Sequence, residues 1–124
     1  MTIQECIEEV DGLVINQYED YLKIKWLNEV DATVYEDVIK QHEKENEVEF
    51  KEYNIDTDMS TELLMTAPYS DAYIQYLIAK INYYNGELDK YNNAAAMYNN
   101  KVAEYKAWYN RQHMPVQKTD IRMP

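Results

Sequence analysis

The sequence predicts a mostly α-helical bundle with a long C-terminal helix and a short extended loop or β-hairpin insertion. Three observations lead there. Glycine occurs twice and proline three times in 124 residues, too few breakers for a sheet sandwich rich in tight turns. Apolar residues recur every three or four positions along most of the chain, the spacing of one helix face. The exception is a brief period-two pattern near residue 50, as in a strand edge. The length fits one domain, residues 1–124, with the insertion at 45–66 and a tail at 116–124 expected to be mobile when free.

Thr2-Ile3-Gln4-Glu5 has the form of a capping box, with Thr2 as N-cap and Glu5 reaching back to it. Ile3, Cys6, Ile7 and Val10 follow on one face. The spacing ends this helix near Asp11-Gly12, with Gly12 able to take the left-handed C-cap conformation. Asn16-Gln17-Tyr18-Glu19 repeats the capping-box pattern. Behind it Tyr18, Leu22, Trp26, Leu27, Val30, Val34 and Val38 mark a second helix running to about His42. Glu19, Asp20, Lys23, Glu29, Asp31, Glu36 and Asp37 lie between these positions and read as a solvated acidic face.

Val48, Phe50 and Tyr53 alternate with Glu47, Glu49, Lys51 and Glu52, and Asn54 to Thr61 is polar and turn-like. Charged flanks of this kind suit an exposed loop that could become an intersubunit contact. Pro68-Tyr69-Ser70-Asp71 opens the next helix, with Ser70 as N-cap and Asp71 at the positive dipole end. From there Tyr73, Leu77, Ile81, Tyr84, Leu88, Tyr91, Ala95, Tyr98, Val102, Tyr105 and Tyr109 step by three or four with no phase slip. Taken literally this is one helix of about 60 Å. A hairpin broken at Asn92-Asn93 is the alternative, because asparagine is a poor helix-interior residue. Arg111 and His113 sit near the negative end, and Pro115 stops the helix. A single helix of that length could not bury its whole tyrosine stripe against two shorter ones, which argues for assembly.

Catalytic constellations are missing. His42 and His113 lie in separate segments, without a second ligand at metal spacing. Asn54-x-Asp56-x-Asp58-x-Ser60 has some of a calcium loop's oxygens but Met59 and Met65 where the loop needs glycine and glutamate, so a solvated turn is expected. Cys6, the only cysteine, falls on an apolar face and reads as a buried, inert thiol of a reducing compartment. Two glycines cannot build a phosphate loop or a nucleophile elbow. No enzyme, metal or cofactor is expected. Neither is a signal peptide or a membrane span, since the N-terminus lacks a basic region and no stretch approaches the ~20 apolar residues of a span.

The formal charge is −11 and unevenly placed. Residues 1–62 carry 18 acids and 5 lysines, a net −13; residues 63–124 carry 5 acids and 7 bases, a net +2. An acidic chain is no nucleic-acid coat. The acid could keep the chain soluble, face a basic partner, line a channel through which DNA slides, or meet the neutral-to-basic half of a second copy. Thirteen tyrosines suit surfaces that are soluble alone and buried on assembly, although helix cores also use tyrosine. The candidate contact residues are Trp26, Tyr53, Leu63, Leu64, Tyr84, Tyr91, Tyr98, Tyr105, Trp108 and Arg111.

Ala67-Pro68-Tyr69-Ser70-Asp71-Ala72-Tyr73, the stretch Tyr76 to Glu87, Tyr91-Asn92-Asn93 with Met97-Tyr98-Asn99, and Trp108 to Pro115 together resemble small proteins of siphophages and prophages of Gram-positive bacteria. Ile24 to Asp31, Asp56-Thr57-Asp58 and Glu62-Leu63-Leu64 are similar to the same group, so the likeness covers most of the chain. That group is the head–tail adaptor, or head-completion, family. The resemblance implies a non-enzymatic virion protein at the neck, made in the host bacterial cytoplasm. It implies a homo-oligomeric ring matching a dodecameric portal, a docking surface for the next neck or tail-completion protein, and a channel that DNA crosses without specific binding. The runner-up from another class is a small acidic phage inhibitor that mimics DNA and occupies a host nuclease or polymerase. Against it, residues 63–124 carry only 5 acids.

Overall fold

A computed structural model describes residues 1–42 and 49–113. Among the described residues there are four α-helices: α1 (Ile3–Leu13), α2 (Asp20–Val34), α3 (Asp71–Tyr84) and α4 (Leu88–Gln112). A π-helical turn, Tyr35–Ile39, continues α2. The expected long C-terminal helix is therefore present as α4. The expected β-hairpin is not: among the described residues the only pairing is an isolated antiparallel bridge between Thr2 and Glu62. Val48, Pro115 and the 116–124 tail lie outside the described residues.

The Thr2/Glu5 capping box forms as expected, Glu5 N donating to Thr2 Oγ1 at 3.1 Å and Thr2 N to Glu5 Oε1 at 2.9 Å. Gly12 does not end α1. The helix runs on to Leu13 and closes at Val14 in extended backbone. The second capping box does not form either. α2 begins at Asp20, and Asn16 instead binds the linker before it. The π turn inserts one residue into the ladder, with Lys40 N donating to Tyr35 O at 2.8 Å. Its effect is to keep Val34, Val38 and Ile39 all in the core.

The tyrosine stripe from residue 69 to 109 is neither one helix nor a hairpin broken at Asn92-Asn93. The break is at Asn85-Gly86-Glu87. Gly86 takes φ +79, Gly86 N donates to Tyr83 O at 3.1 Å, and Glu87 N to Asn82 O at 2.9 Å. These are the two bonds of a Schellman cap, with glycine at the left-handed position. No atom lies within 4 Å of where a Cβ on Gly86 would stand, so strain alone sets the effect of adding one. Gly86→Ala should therefore lower stability by about 1 kcal/mol, read from the denaturant midpoint.

Folding back at Gly86 pairs the stripe with itself. Tyr69, Tyr76 and Tyr83 are seven apart on α3 and its entry, and Tyr91, Tyr98 and Tyr105 are seven apart on α4. Seven residues are two turns, so each series lies on one face. The rungs are Tyr83–Tyr91 at 5.3 Å, Tyr76–Tyr98 at 4.8 Å and Tyr69–Tyr105 at 5.7 Å between ring centroids. Each pair is symmetric about position 87. The stripe that seemed too long for one chain thus satisfies much of itself, which removes that argument for assembly.

The core lies between this hairpin, α1 and α2, around Ile3, Cys6, Leu27, Tyr73, Leu77 and Ile81. The loop before α3 lies along the start of α1: Leu63 N donates to Met1 O, and Ile3 N to Thr61 O. Its polar side chains make their own turns, Asn54 Oδ1 accepting from Asp56 N and Asp58 Oδ1 from Ser60 N at 2.8 and 2.9 Å. At the far end of α4 the two histidines come together, with ring centroids 6.1 Å apart. His42 Nε2 meets Asn110 Oδ1 at 2.7 Å, and His113 stacks on Tyr109 at 3.9 Å.

Candidate docking surface

The up-down order of the helices puts the end of α1, the start of α2 and the α3–α4 turn at one end of the bundle. Of the large hydrophobic side chains exposed among the described residues, Leu13, Ile15, Tyr21, Tyr83, Tyr84 and Leu88 belong to these segments, Met97 lies farther along α4, and Ile55 lies on the loop before α3. An apolar pole of this kind is more informative than single exposed side chains scattered over a surface.

Local geometry holds the pole rigid. Asn16 accepts from Tyr18 N at 3.1 Å and donates to Val14 O at 2.9 Å and to Asp11 Oδ1 at 3.1 Å. This clamp fixes the linker with Ile15 facing solvent at 95% exposure. Asp11 also binds the buried Lys23 ammonium at 2.7 Å. Desolvation pushes the Asp11 pKa up, but the hydrogen bonds from Lys23 and Asn16 outweigh it and leave the group below its ordinary value. Tyr18 Oη donates to Asn85 Oδ1 at 2.7 Å, tying the linker to the hairpin turn. Tyr84 stacks on Trp26, with ring centroids 6.0 Å apart and planes 13° from parallel, while Tyr18 meets Trp26 edge-on.

The grooves on this end include two along the hairpin. One, of about 580 Å³, runs between the linker and the hairpin, and its apolar walls are Leu13, Ile15, Ile78, Ala94 and Met97. The other, of about 440 Å³, lies on the tyrosine ladder between Tyr76, Tyr83, Tyr84, Tyr91 and Tyr98, with Lys80 at its edge. Lys80 is held by Glu29 at 3.4 Å, and Tyr76 Oη donates to the same carboxylate at 2.8 Å. Burial pushes the Tyr98 phenol up to about 12, so it enters any contact as a neutral hydroxyl. A linker backbone and stacked rings held by such contacts can meet a partner at small ordering cost.

The candidate contact residues divide three ways. Trp26, Tyr53, Leu63 and Tyr105 are buried within the chain. Of these, Trp26 lies beneath the pole, against Tyr84, while Tyr53, Leu63 and Tyr105 pack elsewhere in the core. Leu64, Tyr91, Tyr98 and Trp108 are half-buried, while Tyr84 and Arg111 are exposed. Tyr84, Tyr91 and Tyr98 meet at the ladder groove, whereas Trp108 and Arg111 stand near the other end of α4. Leu13, Ile15, Leu88 and Met97 are not among the candidate contacts. Leu13 and Ile15 sit at a helix end and in a linker, where periodicity has no face to assign, while Leu88 falls on the tyrosine stripe and Met97 beside it.

The expected solvated face of α2 needs correction as well. Lys23 and Asp31 are buried, and Glu29 is half-buried. The Asp31 carboxylate accepts from Tyr53 Oη and Tyr73 Oη at 2.5 Å each and from Leu64 N at 3.0 Å. Tyr73 Oη in turn accepts from Met65 N at 2.6 Å. This cluster fastens the loop to α2 and α3 and is sealed from solvent, so its role is structural. Cys6 is sealed too, as expected. Burial, with Glu9 and Asp31 adding their charge, pushes its thiol up to about 12, and no thiolate is at hand for chemistry. On the outer face of α1, Glu5, Glu8, Glu9 and Asp11 are exposed, and Asp56, Asp58 and Glu62 are exposed on the loop beside it.

No helix among the described residues is long and apolar enough to cross a membrane. Comparison with protein-family models, with curated proteins and with solved structures found no match.

Proposed function

We propose that this chain is a non-enzymatic structural protein of a tailed bacteriophage: a head–tail adaptor that docks as a ring on the portal and links capsid to tail around the DNA channel. The observation that carries docking is the apolar pole, the exposed Leu13, Ile15, Tyr84, Leu88 and Met97 toward one end of a small helical bundle. The resemblance of the tyrosine- and asparagine-rich hairpin to siphophage neck proteins gives the docking surface its setting. In that setting the partners are further copies of the chain, the portal and the next neck protein. The exposed acids of α1 suit a channel that repels the DNA backbone.

The test is native mass spectrometry of the full chain, alone and with a purified siphophage portal ring. A stoichiometric complex with the portal is the expected result, lost in Ile15→Asp. A chain that ignores the portal but binds a basic nuclease saturably would overturn the adaptor reading in favour of the acidic inhibitor.

A further inference from the structure

The apolar pole and the end of α4 lie at opposite ends of the bundle. α4 has 25 residues, a length of about 37 Å. After His113 the sequence continues Met114-Pro115-Val116-Gln117-Lys118-Thr119-Asp120-Ile121-Arg122-Met123-Pro124. This segment offers four aliphatic side chains, Met114, Val116, Ile121 and Met123, and two cations against one acid. The pole offers the complement. Its linker–hairpin groove is walled by Leu13, Ile15, Ile78 and Met97. Asp11, Glu19, Asp20, Glu87 and Asp89 stand at the same helix ends; Lys23 pairs with Asp11 and Lys90 with Glu87, which leaves Glu19, Asp20 and Asp89 as the acidic excess.

We propose that this groove is the seat of residues 114–124 from a neighbouring copy, with Ile121 and Met123 against Ile15 and Met97 and with Lys118 and Arg122 toward the acidic rim. The inference rests on the docking reading above and names the occupant of one part of that surface. Reach favours a neighbour over the chain's own segment. Eleven residues span at most about 36–40 Å fully extended. The groove begins at Met97 and continues to Lys90, about 24 to 35 Å back along α4 from His113. Within one chain the segment would have to reverse and spend residues on the turn, so it would reach the Met97 end but meet the Lys90 end only when almost taut. From a neighbour placed head to tail, donor end and acceptor groove face each other. The contact is heterologous, since each copy gives at one end and receives at the other. It propagates to a ring or a filament and does not close as a dimer.

The experiment uses two full-length variants. Ile15→Asp spoils the acceptor and Ile121→Asp the donor. Ile15 is 95% exposed, so its change leaves the monomer fold intact, and circular dichroism checks both. Wild type, each variant and an equimolar mixture are compared by native mass spectrometry and sedimentation velocity over a concentration series. The expected result is concentration-dependent oligomers for wild type and monomers for either variant alone. The mixture should give a 1:1 heterodimer and nothing larger, because one good donor meets one good acceptor. Assembly of Ile121→Asp like wild type, with Ile15→Asp monomeric, would overturn the tail as occupant and leave the docking surface standing. Wild-type assembly by both variants would overturn the inference and the docking surface together. A mixture that stays monomeric, or a wild type monomeric at every concentration, also overturns the inference; portal binding still reads the adaptor proposal separately.

Discussion

Asp31→Ala is expected to destabilise the fold by about 3–5 kcal/mol, the range for removing one side of a buried charged hydrogen-bond cluster. The carboxylate is the common acceptor for Tyr53 Oη, Tyr73 Oη and Leu64 N. Alanine leaves all of these donors in a dry interior without a partner. Relief from burying the charge offsets only part of that loss. A domain of this size is stable by roughly 5–15 kcal/mol, so the variant should sit near the edge of folding. Asp31→Asn is the informative companion. Its one oxygen can serve Tyr53 and Leu64, but its amide then faces Tyr73, whose hydroxyl already accepts from Met65 N. One donor is lost, and the expected cost is about 1–3 kcal/mol. Urea midpoints order the variants; equal stability for Asp31→Ala and wild type would mean that the cluster does not hold the loop.

The same pair reads the pH dependence. Desolvation raises the Asp31 pKa above its ordinary 3.8, and the hydrogen bonds from Tyr53, Tyr73 and Leu64 lower it only in part. No cation lies within ion-pair distance of it among the described residues. The folded chain therefore holds this proton more tightly than the unfolded chain. Stability from this group is full below pH 3.8 and falls as pH rises through the folded value, after which it is flat. Asp11 slopes the other way, its pKa being lowered, so the total curve hides the effect. The difference between wild type and Asp31→Asn removes the shared groups. That difference should shrink as pH rises above 3.8; one that grows would reverse the sign assigned here.

Helix positions were legible because each helix carries its own apolar period, and Thr2 with Glu5 marked the first start. The α3–α4 break was not legible, although Gly86 stood in plain view. The step from Tyr84 to Leu88 is four residues, so the period crosses the turn undisturbed and cannot report it. Asn92-Asn93 looked like the better breaker by propensity, yet both side chains are exposed on α4 and cost little there. Asp31 looked solvated because its neighbours Glu29, Glu36 and Asp37 are acidic. Its partners Tyr53, Leu64 and Tyr73 lie 22 to 42 residues away, beyond the reach of local pattern. Tyr84 of the docking pole was among the candidate contacts, but Leu13 and Ile15 escaped for the opposite reason: they belong to a helix end and a linker, where pattern stops. Aromatic residues drew attention as contacts because free rings and packed rings look alike in a sequence.

Trp26 and Tyr84 separate those two kinds of ring, and the second large effect is expected at Trp26. The two stack on each other, yet Trp26 is 3% exposed and Tyr84 57%. Trp26→Ala empties a core site between α2 and the hairpin, and should cost about 3–5 kcal/mol. Its effect on assembly should then track the loss of folded monomer and recover under stabilising conditions. Tyr84→Ala removes a ring that already faces water, and should cost about 0.5–1.5 kcal/mol for the lost stacking. Because Tyr84 belongs to the apolar pole, its loss should weaken docking at conditions where the monomer stays fully folded. Urea midpoints and sedimentation velocity on both variants give the answer. If Trp26→Ala melts like wild type but fails to assemble, the ring works at an interface and the packing described for it is wrong. If Tyr84→Ala assembles normally, the pole's aromatic side is spectator surface, and docking rests on Leu13, Ile15, Leu88 and Met97 alone.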